Sequence, residues 1–101
     1  MAYTFGEFTF DGPYASVDDL SIEGGVYIVT STDGKPIDCG EGKNIQERVA
    51  THGRKDCWGE HAREADLLFY QLVVDSQENS FRRIHVEKTV RGEVKFLCGK
   101  D

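Results

Sequence analysis

The feature that most constrains the fold is a predicted β-hairpin at residues 25–40. Residues 25–31 (GVYIVTS) are β-branched and aromatic, which is typical of a strand that packs in a core. Residues 32–35 (TDGK) contain an Asp-Gly pair, which favours a tight hairpin turn. Residues 36–40 (PIDCG) then form a short return strand. The sequence therefore predicts two antiparallel strands joined by a tight turn.

Further strands and helices are predicted on both sides of this hairpin. Residues 3–10 form an N-terminal strand, in which Gly6 marks a change of apolar alternation that predicts a bulge or two short pieces. The remaining elements are a loop at 11–24, a helix capped by Asn44 and ended by Gly53, a weakly helical or irregular stretch at 58–66, a strand at 67–74, a helix at 77–91 closed by Gly92, and a short final strand at 93–98. This order predicts an α+β fold: a small three-stranded, mostly antiparallel sheet flanked by helices, with an extra N-terminal strand and a short C-terminal strand.

Length and composition predict one domain that spans residues 1–101. A chain of 101 residues holds one core, and 39% apolar residues are enough to exclude wholesale disorder. No apolar run approaches the about 20 residues of a membrane-spanning helix. The first residues lack the basic and apolar regions of a signal peptide. We therefore expect a cytoplasmic protein with no membrane association.

The cysteine pattern predicts reduced thiols and no disulfides. The chain has an odd number of cysteines and no closely spaced pair: Cys39, Cys57 and Cys98. Cys57 and His61 are four residues apart, so they could share a helix face and bind zinc together with His52 or His85. Because the paired spacings of structural zinc sites are missing, the favoured interpretation is a small buried thiol beside a surface histidine.

The charge distribution argues against a surface devoted to nucleic acid. The net charge is −6; residues 1–42 contain eight acids and one base, for a net charge of −7. Residues 43–101 contain eleven bases and ten acids, for a net charge of +1. The second half also holds a local basic cluster, formed by Arg82, Arg83, Lys88 and Arg91. Both a weak phosphate-facing side and an ordinary solvated helix face are consistent with this cluster.

Gly25-Val26-Tyr27 on the first strand and Asp38-Cys39-Gly40 on the second resemble the two motifs of the GIY-YIG nuclease domain. That family includes homing endonucleases, excision-repair incision subunits and some restriction enzymes. The first motif is Gly25-Val26-Tyr27. In the family, a Tyr-Ile-Gly or Tyr-Val-Gly motif begins eleven residues after the first tyrosine. Its glycine is present here as Gly40, whereas Asp38 stands where the family has the tyrosine.

Residues in the predicted helices extend the resemblance over about residues 22–98, which leaves 1–21 as an N-terminal extension. The family's helix arginine follows ten residues after position 38, where Arg48 stands, and His52 comes four residues later. Glu87 matches the family's glutamate in a later helix, and Glu78 is a poorer match near the start of that helix. Apart from the departure at Asp38, this spacing predicts that motif residues distant in the chain lie near one cleft.

The resemblance implies a metal-dependent endonuclease that hydrolyses phosphodiester bonds in nucleic acid. Glu87 would be the ligand of a Mg²⁺ or Mn²⁺ ion, since Mg²⁺ is commonly held by one or two carboxylates. A guanidinium matches a phosphate, and a phenol helped by a histidine can take part in proton transfer from water. The implied catalytic residues are Tyr27, Asp38, Arg48 and His52.

The resemblance also implies contacts beyond the catalytic centre. Gly25 and Gly40 would serve the backbone conformation. Relatives usually obtain specificity from an appended domain. A catalytic-type domain alone would act in a complex with a protein partner that supplies specificity, act on nucleic-acid structure rather than sequence, or not act at all. The residues expected to bind substrate, which include three of the local basic cluster, are Lys43, Asn44, Arg83, Lys88 and Arg91.

The replacement of the second tyrosine leaves two alternatives open. Asp38 either adds a metal ligand beside Glu87 or removes the phenol that positions water. Asp38 and Glu41 both place negative charge near an incoming phosphate, which opposes binding without a metal ion. The alternative function is a catalytically degenerate nuclease fold that acts as a binding or regulatory module. A chance motif in a small α+β protein is a third interpretation, which predicts that Tyr27, Arg48 and Glu87 do not converge.

Overall fold

The computed structural model describes residues 2–74 and 80–99 of the chain. Its strands are β1 (Ala2–Phe5), β2 (Phe8–Tyr14), β3 (Gly25–Ser31), β4 (Pro36–Gly42) and β5 (Leu67–Val73). Its α-helices are α1 (Ile45–Ala50), α2 (Lys55–His61) and α3 (Ser80–Glu93), with short 3₁₀ turns at Val17–Asp19 and Glu64–Asp66. The five strands form one antiparallel sheet in the order β1-β2-β5-β3-β4. The predicted α+β class is confirmed, and the predicted three-stranded sheet is wrong. Within the described ranges, no helix has the length and apolar character needed to cross a bilayer.

The two additional strands come from the N-terminal segment. The chain reverses at Gly6, whose φ of +61° lies in the left-handed region that favours glycine. Of the two predicted alternatives, a bulge or two short pieces, the second is found: β1 and β2 are short strands that form a hairpin, with Tyr3 opposite Phe10. Strand β2 continues to Tyr14 through the first part of the predicted loop and pairs with β5. The change of apolar alternation at Gly6 thus reflects a turn between two short strands.

The hairpin of β3 and β4 forms as predicted and positions the motif residues. Strand β3 lies inside the sheet, between β5 and β4, and all seven of its residues are buried. Tyr27 lies opposite Gly40, and Val29 lies opposite Asp38. Because side chains alternate along a strand, Tyr27 and Val29 belong to the core under α1 and α2, whereas Ile28 belongs to the core under α3. Strand β4 runs to Gly42 and is an edge of the sheet.

Helix α1 begins at its predicted cap. The Asn44 side chain accepts a hydrogen bond from the backbone N–H of Glu47 at 2.9 Å. Ile45 and Val49 have no solvent exposure and attach the helix to the sheet. The helix ends at Ala50, before the predicted stop at Gly53. Helix α2 forms in the stretch for which only weak helicity was predicted, and it begins three residues earlier.

The end of the chain differs from the prediction. The structure describes the last helix from Ser80 to Glu93, so the predicted start at residues 77–79 lies outside the described residues. Gly92 lies inside this helix and does not close it. No strand forms in the described residues 94–99, so the predicted C-terminal strand is wrong. Instead, the backbone N–H groups of Leu97 and Cys98 donate to carbonyls at the start of β4.

Cys57 and Cys98 form a disulfide, which differs from the expectation of reduced thiols and no disulfides. Their Cα atoms are 6.0 Å apart, although 41 residues separate them in the chain. Linear spacing hides this pair because α2 and the segment after α3 are distant in the chain and come together by packing on β4. Cys39, on β4, is a buried free thiol.

Candidate functional site

Tyr27 lies inside the core under α1 and α2, with no solvent exposure. Its phenol ring crosses the neighbouring strand over Gly40, where a Cβ atom would collide with the Tyr27 hydroxyl. This close approach explains the glycine at position 40. The hydroxyl has no hydrogen-bond partner among the described residues. Burial raises the pKa of this phenol well above its ordinary value, since the charged phenolate is disfavoured away from water.

His52 packs directly beside this phenol. The two rings meet edge to face with centroids 5.5 Å apart. The centroid of the Trp58 ring lies 4.8 Å from that of the imidazole. The imidazole Nδ1 accepts a hydrogen bond from the backbone N–H of Arg54 at 3.0 Å. Nε2 lies 3.9 Å from the nearer Asp38 carboxylate oxygen, beyond hydrogen-bonding distance. Burial, assisted by neighbouring arginine charges, lowers the pKa of His52 to about 4, so the ring is neutral at pH 7.

The Asp38 carboxylate is the centre of a buried polar network, and it has no solvent exposure. Five donors reach it: the backbone N–H of Cys39 (2.8 Å), Arg54 Nε (2.9 Å) and Nη2 (3.1 Å), Trp58 Nε1 (2.7 Å) and Arg91 Nη2 (2.7 Å). A carboxylate offers about four lone-pair positions, so these donors saturate it. Two guanidinium groups also compensate its charge, which offsets the cost of burying it. Direct metal ligation by Asp38 would require some of these donors to leave.

Arg91 extends this network to the helix on the other side of β4. Its Nη2 also donates to the backbone carbonyl of Cys39, and its Nε lies 3.5 Å from Glu87 Oε2. Its guanidinium lies 5.5 Å from the centre of the Phe96 ring. Burial raises the pKa of Glu87, and the Arg91 charge opposes that rise. Arg91 is therefore the link between the Asp38 and Glu87 carboxylates.

Glu87 and Tyr27 approach the sheet from opposite faces. Helix α3 packs through Val86 and Val90 on the face that carries Ile28, whereas Tyr27 points to the other face. Glu87 therefore reaches the surroundings of Tyr27 only around the edge strand, through Arg91 and the Asp38 carboxylate. Glu78, the poorer match, lies outside the described residues.

Arg48 lies on the same side as Tyr27 and His52. It is exposed on α1, and its aliphatic stem covers Gly42, where a Cβ atom would lie 3.0 Å from the Arg48 Cβ. Its positive charge opposes protonation of His52 and favours ionisation of Tyr27. Three predicted catalytic residues thus gather on one face, and Asp38 joins them from the neighbouring strand.

Two of the five residues expected to bind substrate are exposed, namely Lys43 and Lys88. Asn44 is used as the cap of α1. Arg83 is 2% exposed and donates from Nε to a glutamate on β4 at 2.9 Å. Arg91 is occupied by the Asp38 network. The basic cluster of the second half therefore serves internal ion pairs as much as the surface.

Sequence reasoning missed Arg54 and Trp58, which supply three of the five donors to Asp38. No motif contains them. The available signal was Asp38 itself, because a carboxylate inside a buried hairpin needs charged or polar donors from other elements. Trp58 also lines a cavity of about 260 Å³ on this face, together with Val17, Val49, Lys55, Gly59, Glu64, Leu67 and Phe69.

The motif residues thus form two groups joined by one arginine. Tyr27, Arg48 and His52 lie on the same side of the sheet as the Asp38 network, and Glu87 lies beyond that network on α3. The resemblance to the GIY-YIG domain rests on these residues and their spacing. Comparisons of the chain with protein-family models, with curated proteins and with solved structures gave no match.

Proposed function

We propose that the chain is a GIY-YIG-type nuclease fold whose cleft is closed, and that it acts as a binding or regulatory module. The observation that carries this proposal is the Asp38 network. Asp38 stands at the position of the family's second phenol, and it is a buried carboxylate saturated by five donors. A group held in this way stabilises the fold and does not face a substrate.

The environment of Tyr27 supports the same conclusion. A phenol that takes part in proton transfer must contact water or substrate and must ionise near the working pH. Tyr27 has no solvent exposure, and burial moves its pKa away from neutrality. Its neighbour His52 is neutral and equally enclosed. The pair therefore fills the core beneath α1 and α2.

The charges of the site also disfavour an incoming phosphate. Arg54 and Arg91 both pair with Asp38, and Arg83 pairs with Glu41. Guanidinium groups that already bind carboxylates must break those contacts before they bind a phosphate. The net charge of −6 adds a general repulsion. The apolar cavity beside Trp58 is a more suitable place on this face for a partner's apolar group.

A metal-dependent endonuclease is the second candidate function. The placement of Tyr27, Arg48 and His52 on one face favours it. The residues present do not fit a resident Mg²⁺ or Mn²⁺ ion in this arrangement, since the cation beside Glu87 is the Arg91 guanidinium. In the described part of the chain, no group of three close acidic, histidine or cysteine ligands includes Glu87. Cleavage would therefore require Arg91 to leave both carboxylates.

A cleavage assay distinguishes the two candidates. The purified chain is incubated with Mg²⁺ or Mn²⁺ and with supercoiled, single-stranded and branched DNA and single-stranded RNA. We expect wild type, Glu87→Ala and Arg48→Ala to give the same background. Glu93→Ala is the matched control, because Glu93 is an exposed acid on the same helix. Cleavage that is lost in Glu87→Ala and kept in Glu93→Ala would establish the endonuclease.

A metal titration tests the closed site without relying on activity. We expect the NMR resonances of Asp38 and Glu87 to stay unchanged when Mg²⁺ is added, because Arg54 and Arg91 occupy the carboxylates. Saturable shifts confined to these two residues would contradict the closed site. Small shifts spread over exposed acids such as Asp56 are the expected nonspecific background.

A further inference from the structure

Cys57, His61 and Cys98 form a second cluster of reactive side chains, apart from the Asp38 network. Their ligand atoms, two sulfurs and an imidazole nitrogen, all lie within 4.8 Å of one another. In a tetrahedral zinc site with Zn–S near 2.3 Å and Zn–N near 2.0 Å, neighbouring ligand atoms are about 3.5 Å apart. Once the disulfide is reduced, side-chain rotations can move the two sulfurs apart and bring the imidazole nitrogen closer to them, toward that geometry.

The backbone holds these three ligands from two directions. Cys57 and His61 are four residues apart on α2, so both point from one helix face. Cys98 lies in the segment after α3, and its backbone N–H donates to the Ile37 carbonyl at 2.7 Å. Because a helix and an anchored segment fix the ligands, little conformational entropy remains to be lost when a metal binds.

We propose that Cys57, His61 and Cys98 form a redox-gated zinc site, which the disulfide closes and its reduction opens. In the oxidised chain, the two sulfurs are bonded to each other and cannot act as thiolates. In the reduced chain, both thiolates and the imidazole bind one Zn²⁺ ion, with a fourth position left for water or an exogenous ligand. The site is distinct from any nuclease-type centre at Asp38 or Glu87.

The chemistry of the switch balances with a thiol or phosphine reductant. Reduction breaks the Sγ–Sγ bond between Cys57 and Cys98 with two electrons and two protons. With a phosphine, water supplies both protons and the oxygen of the phosphine oxide that forms. Zinc binding then releases the two thiol protons, because the thiolate is the metal ligand.

The surroundings suit a dication that enters from solvent. Cys98 is 1% exposed, whereas Cys57 and His61 are half-buried, so one wall of the cluster is enclosed and the other is accessible. Asp56 and Glu60 are exposed on the same helix and add negative charge near the entrance. The Cys98 carbonyl also accepts from Arg91 Nη1 at 3.4 Å, which joins this cluster to the rest of the fold.

The test compares the reduced and oxidised forms of the whole chain. The chain is reduced anaerobically with a phosphine, its free thiols are counted by mass spectrometry, and Zn²⁺ or Co²⁺ is added. We expect one ion per reduced chain, a thiolate-to-cobalt charge-transfer band, and intense d–d bands typical of tetrahedral coordination. The oxidised chain is expected to bind neither ion at this site.

Ligand variants assign the site. Cys57→Ser and Cys98→Ser should abolish the charge-transfer band or reduce it to that of one thiolate. His61→Ala should weaken Zn²⁺ binding by about tenfold or more. Mutation of a residue that only hydrogen-bonds to a metal ligand already lowers metal affinity by that factor. His61→Ala should leave the fold intact, because alanine is the best helix former. His85→Ala is the matched control and should bind like wild type, as His85 is an exposed histidine on α3.

Four outcomes would overturn the proposal. They are equal metal binding by the oxidised chain, binding that survives both serine substitutions, an affinity unchanged by His61→Ala, and a disulfide that resists reduction in the folded chain.

Discussion

Arg54 donates two hydrogen bonds to the Asp38 carboxylate, from Nε at 2.9 Å and from Nη2 at 3.1 Å. The carboxylate of this ion pair has no solvent exposure. Removal of one partner from a buried ion pair leaves the other charge uncompensated and lowers the free energy of unfolding by about 3–5 kcal/mol. Asp38→Asn should therefore lower the free energy of unfolding by about 3 kcal/mol. Urea denaturation, monitored by circular dichroism, measures this change in the free energy of unfolding.

The control for this substitution is Asp56→Asn, at an exposed position on α2, which should change stability by less than about 0.5 kcal/mol. A similarly small effect of Asp38→Asn would contradict a structural role for the network.

The contact between Gly40 and the Tyr27 hydroxyl predicts that Tyr27→Phe restores part of the stability lost in Gly40→Ala. Gly40→Ala forces a methyl group into that hydroxyl and should cost about 1–3 kcal/mol. Tyr27→Phe removes the hydroxyl, which has no partner among the described residues, and should be nearly neutral alone. In the double variant, part of the loss should be recovered, with a coupling energy of about 1 kcal/mol by thermal denaturation.

Gly59→Ala is the control for Gly40→Ala. No atom lies within 4 Å of the position its Cβ would take, and Gly59 is inside α2, so alanine should be neutral or stabilising. Strictly additive effects at Tyr27 and Gly40 would show that the Tyr27 hydroxyl does not restrict position 40.

The lowered pKa of His52 predicts a loss of stability in acid. The folded chain holds this imidazole neutral down to a pKa of about 4, whereas an unfolded histidine protonates near pH 6.5. Between these values the unfolded state binds more protons, so stability falls as the pH is lowered from about 6.5 to about 4. The loss attributable to His52 is about 2–3 kcal/mol.

Stability measured across this pH range in wild type and in His52→Gln isolates the contribution, because other titrating groups are common to both proteins. The variant should show the shallower dependence on pH. Parallel curves for wild type and His52→Gln would contradict a buried neutral imidazole.

Replacement of Arg91 by lysine should destabilise the fold. Its guanidinium contacts Asp38, the Cys39 carbonyl and Glu87 at once, and a single ammonium cannot reproduce that planar arrangement. Arg91→Ala should cost about 3 kcal/mol, and Arg91→Lys should recover less than half of it. Lys88→Ala, an exposed control on the same helix, should have little effect on the denaturation midpoint. Full rescue by lysine would show that charge alone matters at position 91.

Local patterns in the sequence predicted the parts of the fold that depend on local physics. The hairpin of β3 and β4 follows from a β-branched run and an Asp-Gly turn, and α1 begins at its Asn44 cap. In the N-terminal segment the pattern left a bulge and two short pieces open, because a reversal at one glycine gives the same change of alternation as a bulge. The apolar residues near Leu97 predict a strand, yet only two of their N–H groups reach β4.

The site was less predictable because its contacts are long-range. The motif spacing placed Tyr27, Arg48 and His52 on one face, as the hairpin and helix geometry require. It gave no indication that Asp38 recruits Arg54 and Arg91, which lie 16 and 53 residues away in the chain. Pairings of this kind depend on packing between elements, which a linear pattern does not encode.

The backbone bonds between the C-terminal segment and β4 also limit how copies of the chain can associate. An exposed edge strand presents unpaired backbone groups, and a strand from another molecule can add to it and start aggregation. Here Leu97 and Cys98 donate to the carbonyls of Pro36 and Ile37, so the beginning of this edge is already covered. The opposite edge, β1, is four residues long, and short edge strands are poor templates for intermolecular pairing. One edge is thereby covered at its start and the other is short, and both features make growth into a continuous intermolecular sheet less favourable.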